Sequence, residues 1–147
     1  MSNSVVGFAD FDFCYTAAIP WRLGCRKPKL ETRNLPPLPI IFHIAENQLW
    51  NESRTKQSYR PQMFSVEGFI HCSTPAQVLQ VANTRFRGRE DLLLLSIDTD
   101  RVDDEVRYEN LEGGQELFPH IYGELPVAAV VRAVEWLPGD DGNFKLP

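Results

Sequence analysis

Cysteine is scarce in this chain: Cys14, Cys25 and Cys72 form an odd set in 147 residues, and no two stand in C-x-x-C spacing. That argues against a disulfide framework and against a cysteine-rich zinc site, and it suits a reducing cytosol. Long apolar runs are missing too. The longest near the N-terminus, VVGFADFDFCYTAAIPW, is broken by Asp10 and Asp12, meets Pro20 and follows no basic residue. It matches neither a membrane span nor a secretory signal, and its two acids argue against a mitochondrial transit peptide. Positive charge is also in deficit, with 15 Lys and Arg against 20 Asp and Glu for a net −5. Broad attraction to a phosphate backbone is therefore disfavoured as a means of binding, and a generic nucleic-acid partner with it. The expected setting is the cytoplasm and the expected partner a small molecule.

What is present describes one ordinary folded unit. Hydrophobic residues make up 43% and charged residues 24%, far from the signature of disorder. The length supports a single buried core and hardly two. The charge is unevenly spread, because residues 1–38 carry five basic and three acidic residues while the remainder carries ten and seventeen. With the proline-rich stretch PKLETRNLPPLP ending at Pro39, this predicts a poorly ordered extension and linker over 1–38 and a single domain over 39–147.

Within the domain, PIIFHIA reads as a buried strand and ENQLWNESR as a first helix. KQSYRPQMFSVEG, with Pro61 and Gly68 closing it, reads as a loop into the strand GFIHCS. Thr74, Pro75 and Gln77 then have the spacing of a helix cap, and Val78, Leu79, Ala82 and Phe86 form one apolar stripe before Gly88. This predicts a helix over Pro75–Arg87. DLLLLSID predicts a central strand buried on both faces, EVRYEN and ELFPHIYG two more, and VAAVVRAVEWL a closing strand after one helical turn. The order gives an α+β fold with about five or six strands, mainly antiparallel, and two principal helices.

Histidine is as rare as cysteine, and all three, His43, His71 and His120, sit in apolar surroundings. A shared cleft explains that pattern; three separate core histidines explain it equally well. A strand ending at His71 and Ser73 and running into a helix at Thr74 offers unpaired N–H groups and a positive dipole end. That is an anion pocket, with Arg60 able to assist from the preceding loop. The plainer alternative has Ser73 and Thr74 capping the helix while His71 bonds within the core. If ELFPHIYG is extended, Phe118, His120 and Tyr122 share a face with Glu116, gathering a carboxylate, an imidazole and two stacking rings. Three histidines could hold zinc, but no H-x-H or H-E-x-x-H spacing supports it, and no metal is expected. Cys72 points away from His71 along a strand and reads as core. The arginines around Gly88 suit a helix C-terminus.

Taken together, IFHIA, then GFIHCST..QV...AN..FRG..DLLLL.ID, then GG.ELFPHIYG.LP..AV closely resemble the small bacterial domain-of-unknown-function family numbered 952, from about Ile40 to Leu137. Its members look like the ADP-ribosylation fold, a split antiparallel sheet whose cleft takes NAD. The resemblance implies that His43 contacts a ribose and that His71 with Ser73 seats the nicotinamide half. A later carboxylate, Glu116, replaced or accompanied by His120, would steady positive charge at the anomeric carbon. Phe118 or Tyr122 would stack on a base. NAD or an ADP-ribose-type nucleotide is the implied ligand, as substrate of a transferase-like enzyme or as cargo of a silent binding module.

Overall fold

The computed structural model describes residues 39–147; the expectation for 1–38 lies outside the described residues. Eight strands and three helices follow the order β1 (Ile40–Glu46), α1 (Asn47–Lys56), β2 (Ser58–Tyr59), α2 (Phe64–Glu67), β3 (Ile70–His71), α3 (Val78–Arg85), β4 (Leu92–Asp98), β5 (Val106–Glu109), β6 (Phe118–Ile121), β7 (Leu125–Pro126) and β8 (Val130–Glu135). They form three antiparallel sheets ordered β1-β4-β8, β2-β7 and β3-β6-β5. The α+β class and antiparallel pairing agree with the sequence. The strand number exceeds the five or six expected, because β2 and β7 are two-residue pieces paired only with each other, too short to show any periodicity.

β4 explains its own sequence. It lies between β1 and β8, and both of its faces are covered, so alternation of polar and apolar residues would strand a polar side chain in either core. Leu93, Leu95 and Ile97 pack with Ile41, Ala45, Tyr59 and Ile121 on one side. Leu92 and Leu94 pack with Val78, Ala82, Trp136 and Phe144 on the other. α3 and the C-terminal tail form that second layer, clasped where Asn83 accepts from the Phe144 N–H at 2.6 Å and Trp136 Nε1 donates to the Lys145 carbonyl at 2.6 Å.

Two main-chain bonds tie the first sheet to the third. Phe42 and Ser73 exchange N–H···O bonds of 2.8 Å in each direction, forming an isolated antiparallel bridge beyond the end of β3. α3 starts three residues later than its sequence suggests. Thr74 does not cap it through its hydroxyl; that hydroxyl donates to Gln77 Oε1 at 3.0 Å, and the Thr74 N–H bonds the same oxygen at 3.1 Å. The glutamine half of a capping box has formed without the threonine half, so Pro75 to Gln77 make a turn ahead of the helix.

Candidate functional site

A cleft of about 160 Å³ opens between the two larger sheets and α3, and all three histidines line it. Ser73, Arg85 and Glu112 supply its other polar side chains, while Phe42, Phe86 and Phe118 are among its apolar walls. An apolar lining with a few convergent polar groups is the usual form of a small-molecule site. Its size suits one ring at a time: a closed apolar cavity of about 150 Å³ accepts benzene.

His43 comes from β1 and is fully committed. Its Nδ1 stands 2.6 Å from the His71 carbonyl and its Nε2 3.0 Å from the Tyr59 hydroxyl. A carbonyl can only accept, so Nδ1 carries the proton and Nε2 accepts from the tyrosine. Burial lowers its pKa from 6.5 to about 4, opposed in part by the bond to the His71 carbonyl. Neutral His43 therefore shapes the cleft and leaves no ring nitrogen free for a ligand.

His71 and His120 face each other across the β3-β6 ladder as a register pair, their ring centroids 5.1 Å apart. They differ sharply in surroundings. The His71 side chain is 45% exposed at the mouth, with Nε2 at 3.1 Å from Glu67 Oε2. Gly68, in the left-handed conformation at φ 79°, turns the chain from α2 into β3 so that Glu67 reaches back to it. His120 is 3% exposed, and its Nδ1 is buried without a hydrogen-bond partner among the described residues. Burial first, then the neighbouring His71, lower its pKa. Such an orphan is costly unless a bound group completes it. Phe69 packs against both imidazoles, 4.9 Å from each ring.

Among the residues singled out from sequence, the cleft gathers His43, His71, Ser73, Phe118 and His120. Four others lie elsewhere. Glu116 is exposed in the loop before β6, which begins only at Phe118, so it does not share the strand face of His120. Arg60 is occupied by an ion pair with Glu124 and lies over the Phe64 ring. Thr74 is tied to Gln77, and with the Gln77 and Val78 N–H groups bonded to the Thr74 carbonyl and the Ser73 N–H to Phe42, four donors of the expected anion pocket are bonded internally. Tyr122 lies under the Arg107 guanidinium at 4.5 Å, where Glu109 raises its pKa. Cys72 is buried, and burial pushes its thiol far up. Sequence reasoning missed Glu67, Arg85 and Glu112. Arg85 had a sufficient explanation at a helix end, and Glu112 sits beside two glycines that signal a turn. Among the described residues no group of three or more His, Cys, Asp or Glu could hold a metal ion, and no helix is long and apolar enough to cross a membrane.

The fold and site define an α+β domain of antiparallel sheets around a histidine-lined cleft. The chain belongs to the family Protein of unknown function (DUF952), whose profile matches residues 44–133. It is similar to protein CC0527 from Caulobacter crescentus. A crystal structure of a double mutant of that protein is 29% identical with a TM-score of 0.66, covering 73% of this chain and 94% of that one. The crystal structure without those mutations gives 28%, 0.66 and the same coverage. The solution structure gives 28% and 0.63, covering 71% and 90%. No curated protein matches the chain.

Proposed function

We propose that this domain binds a nucleotide of the NAD or ADP-ribose type on an ADP-ribosylation-like architecture, with one ring of the ligand entering the histidine cleft. The observation that carries this reading is the convergence of His43, His71 and His120 on one ring-sized, mostly apolar cleft. A cleft of about 160 Å³ is below the roughly 300 Å³ at which drug-sized ligands begin to be enclosed. A dinucleotide would therefore insert one end and leave the rest across the mouth.

Binding is favoured over transfer at the ribose anomeric carbon. Such chemistry needs a carboxylate aimed at the developing positive charge. Glu116 lies in the exposed loop before β6, and the carboxylate of the cleft itself, Glu112, is engaged by Arg85. Transfer is the second reading, supported by the Glu67–His71 pair at the mouth, a carboxylate orienting an imidazole as general acid–base sites require.

Thermal unfolding with NAD, ADP-ribose and nicotinamide tests the first reading. A ligand at a hundred times its Kd raises stability by about 2.7 kcal/mol. The expected rise should vanish in His120→Phe, and absence of stabilisation by all three compounds would retire it. Consumption of NAD over hours, abolished by Glu67→Gln with binding retained, would favour the second.

A further inference from the structure

Arg85 is the one lysine or arginine among the described residues lining the cleft, and Glu112 is the one carboxylate; the two are paired with each other. We infer that Arg85 is the phosphate-recognising residue of this cleft and that Glu112 is an internal stand-in for the ligand's phosphate, displaced when a nucleotide phosphate binds. The inference rests on the nucleotide reading above and names the part of the ligand that Arg85 takes.

The opposite end of α3 sharpens the assignment. At its start the N–H groups of Ser73, Thr74, Gln77 and Val78 are already bonded to Phe42, Gln77 and Thr74. Among the described residues that line the cleft, permanent positive charge comes from Arg85, on the last turn of the same helix. A guanidinium there can offer two parallel N–H groups to a phosphate monoester, which carries about −1.5 to −2 charge against the single charge of a carboxylate. The Arg85 and Glu112 side chains are 53% and 49% exposed, so their pairing is weak and readily exchanged.

Glu112 is also free to leave. It belongs to the connection between β5 and β6, where residues 111–117 are exposed and outside any strand. Gly113 and Gly114, at φ 80° and 121°, occupy backbone conformations that other residues rarely adopt. The far end of the connection is held independently, by Gln77 Nε2 donating to the Leu117 carbonyl at 3.0 Å. Release of Glu112 therefore leaves the β5–β6 ladder and the Gln77 bond in place.

The test compares AMP with adenosine by calorimetry on the full chain, in the unaltered protein, Glu112→Gln, Arg85→Gln and Arg85→Lys. Half-exposed positions make these substitutions compatible with folding, and far-UV circular dichroism checks it. Removing the competitor should raise AMP affinity by up to about fivefold in Glu112→Gln, the worth of one exposed ion pair, and leave adenosine unchanged. Arg85→Gln should abolish the preference for AMP, and Arg85→Lys should retain part of it. Equal binding of AMP and adenosine in all four proteins, or weaker AMP binding in Glu112→Gln, would overturn the inference and leave the nucleotide reading standing. If neither compound binds, that reading falls, and inorganic phosphate alone decides the inference. Thermal stabilisation of Glu112→Gln by phosphate, lost when Arg85→Gln is added, supports it; no stabilisation overturns it.

Discussion

The Tyr59 hydroxyl stands 3.0 Å from His43 Nε2, with the two rings tilted at 60° and their centroids 5.4 Å apart. This bond joins the small β2–β7 sheet to the first strand beneath the cleft. Tyr59 is 1% exposed and His43 7%, so no solvent molecule can take the place of either partner without opening the core. Tyr59→Phe keeps the ring and removes the donor, leaving a buried acceptor without a partner. The expected loss is about 1–3 kcal/mol, read as a lower urea midpoint at unchanged slope. A midpoint within error of the parent protein's would show that the bond contributes nothing.

Stability should fall as the solution is acidified, beginning well above the range of ordinary carboxylates. The pKa of His43 is about 4 in the fold against about 6.5 unfolded, so between those values the unfolded chain binds the extra proton. His43 therefore supports the fold fully above the unfolded value, and that support is lost as pH falls toward 4. The shift predicts roughly 2 kcal/mol lost between pH 7 and pH 5, with His120, also lowered, acting in the same direction. Urea unfolding at the two pH values measures the loss. Nitrogen-15 spectra should show His43 still neutral at pH 5 with its proton on Nδ1, and a charged ring there would contradict the assignment.

Leu95→Ala should be the most damaging of the conservative truncations in β4. Leu95 is completely buried and pairs with His43 across the ladder. Its removal leaves a cavity between strands held in register on both sides, where collapse is restricted, at an expected cost of about 2–5 kcal/mol. Val134→Ala, on the half-buried edge strand β8, should cost clearly less, and the reverse ranking in denaturant unfolding would count against this account of the core.

Cys72 should resist alkylation in the folded protein. It is 4% exposed, and burial holds its thiol protonated at neutral pH, whereas thiolate is the form that reacts. Mass-spectrometric mapping after iodoacetamide should find Cys72 unmodified under native conditions and modified in urea. Rapid native labelling would return it to consideration as a nucleophile.

The parts legible in sequence are those with a local cause. DLLLLSID announces a strand covered on both faces because each of its neighbours must be apolar, and VAAVVRAVEWL resolves into a 3-10 turn at Val127–Ala129 and the strand β8. The meeting of the three imidazoles was legible as one of two alternatives, since apolar surroundings fit a cleft as well as a core. Tyr59 and Leu125 gave no signal, because two-residue strands owe their existence to distant partners. Glu116 was misplaced for a related reason: the extended pattern of ELFPHIYG continues through it in sequence, but β6 starts two residues later, once Phe118 pairs with Glu109. Arg85 and Glu112 are 27 residues apart, and only the return of the β5–β6 connection onto α3 brings them together.

The exchange of main-chain bonds between Phe42 and Ser73 makes the aperture of the cleft a property of the backbone. Its width is held by peptide groups that every residue type except proline supplies in full. Substitution of the Phe42 or Ser73 side chain by any residue but proline therefore leaves the two bonds that join the sheets in place.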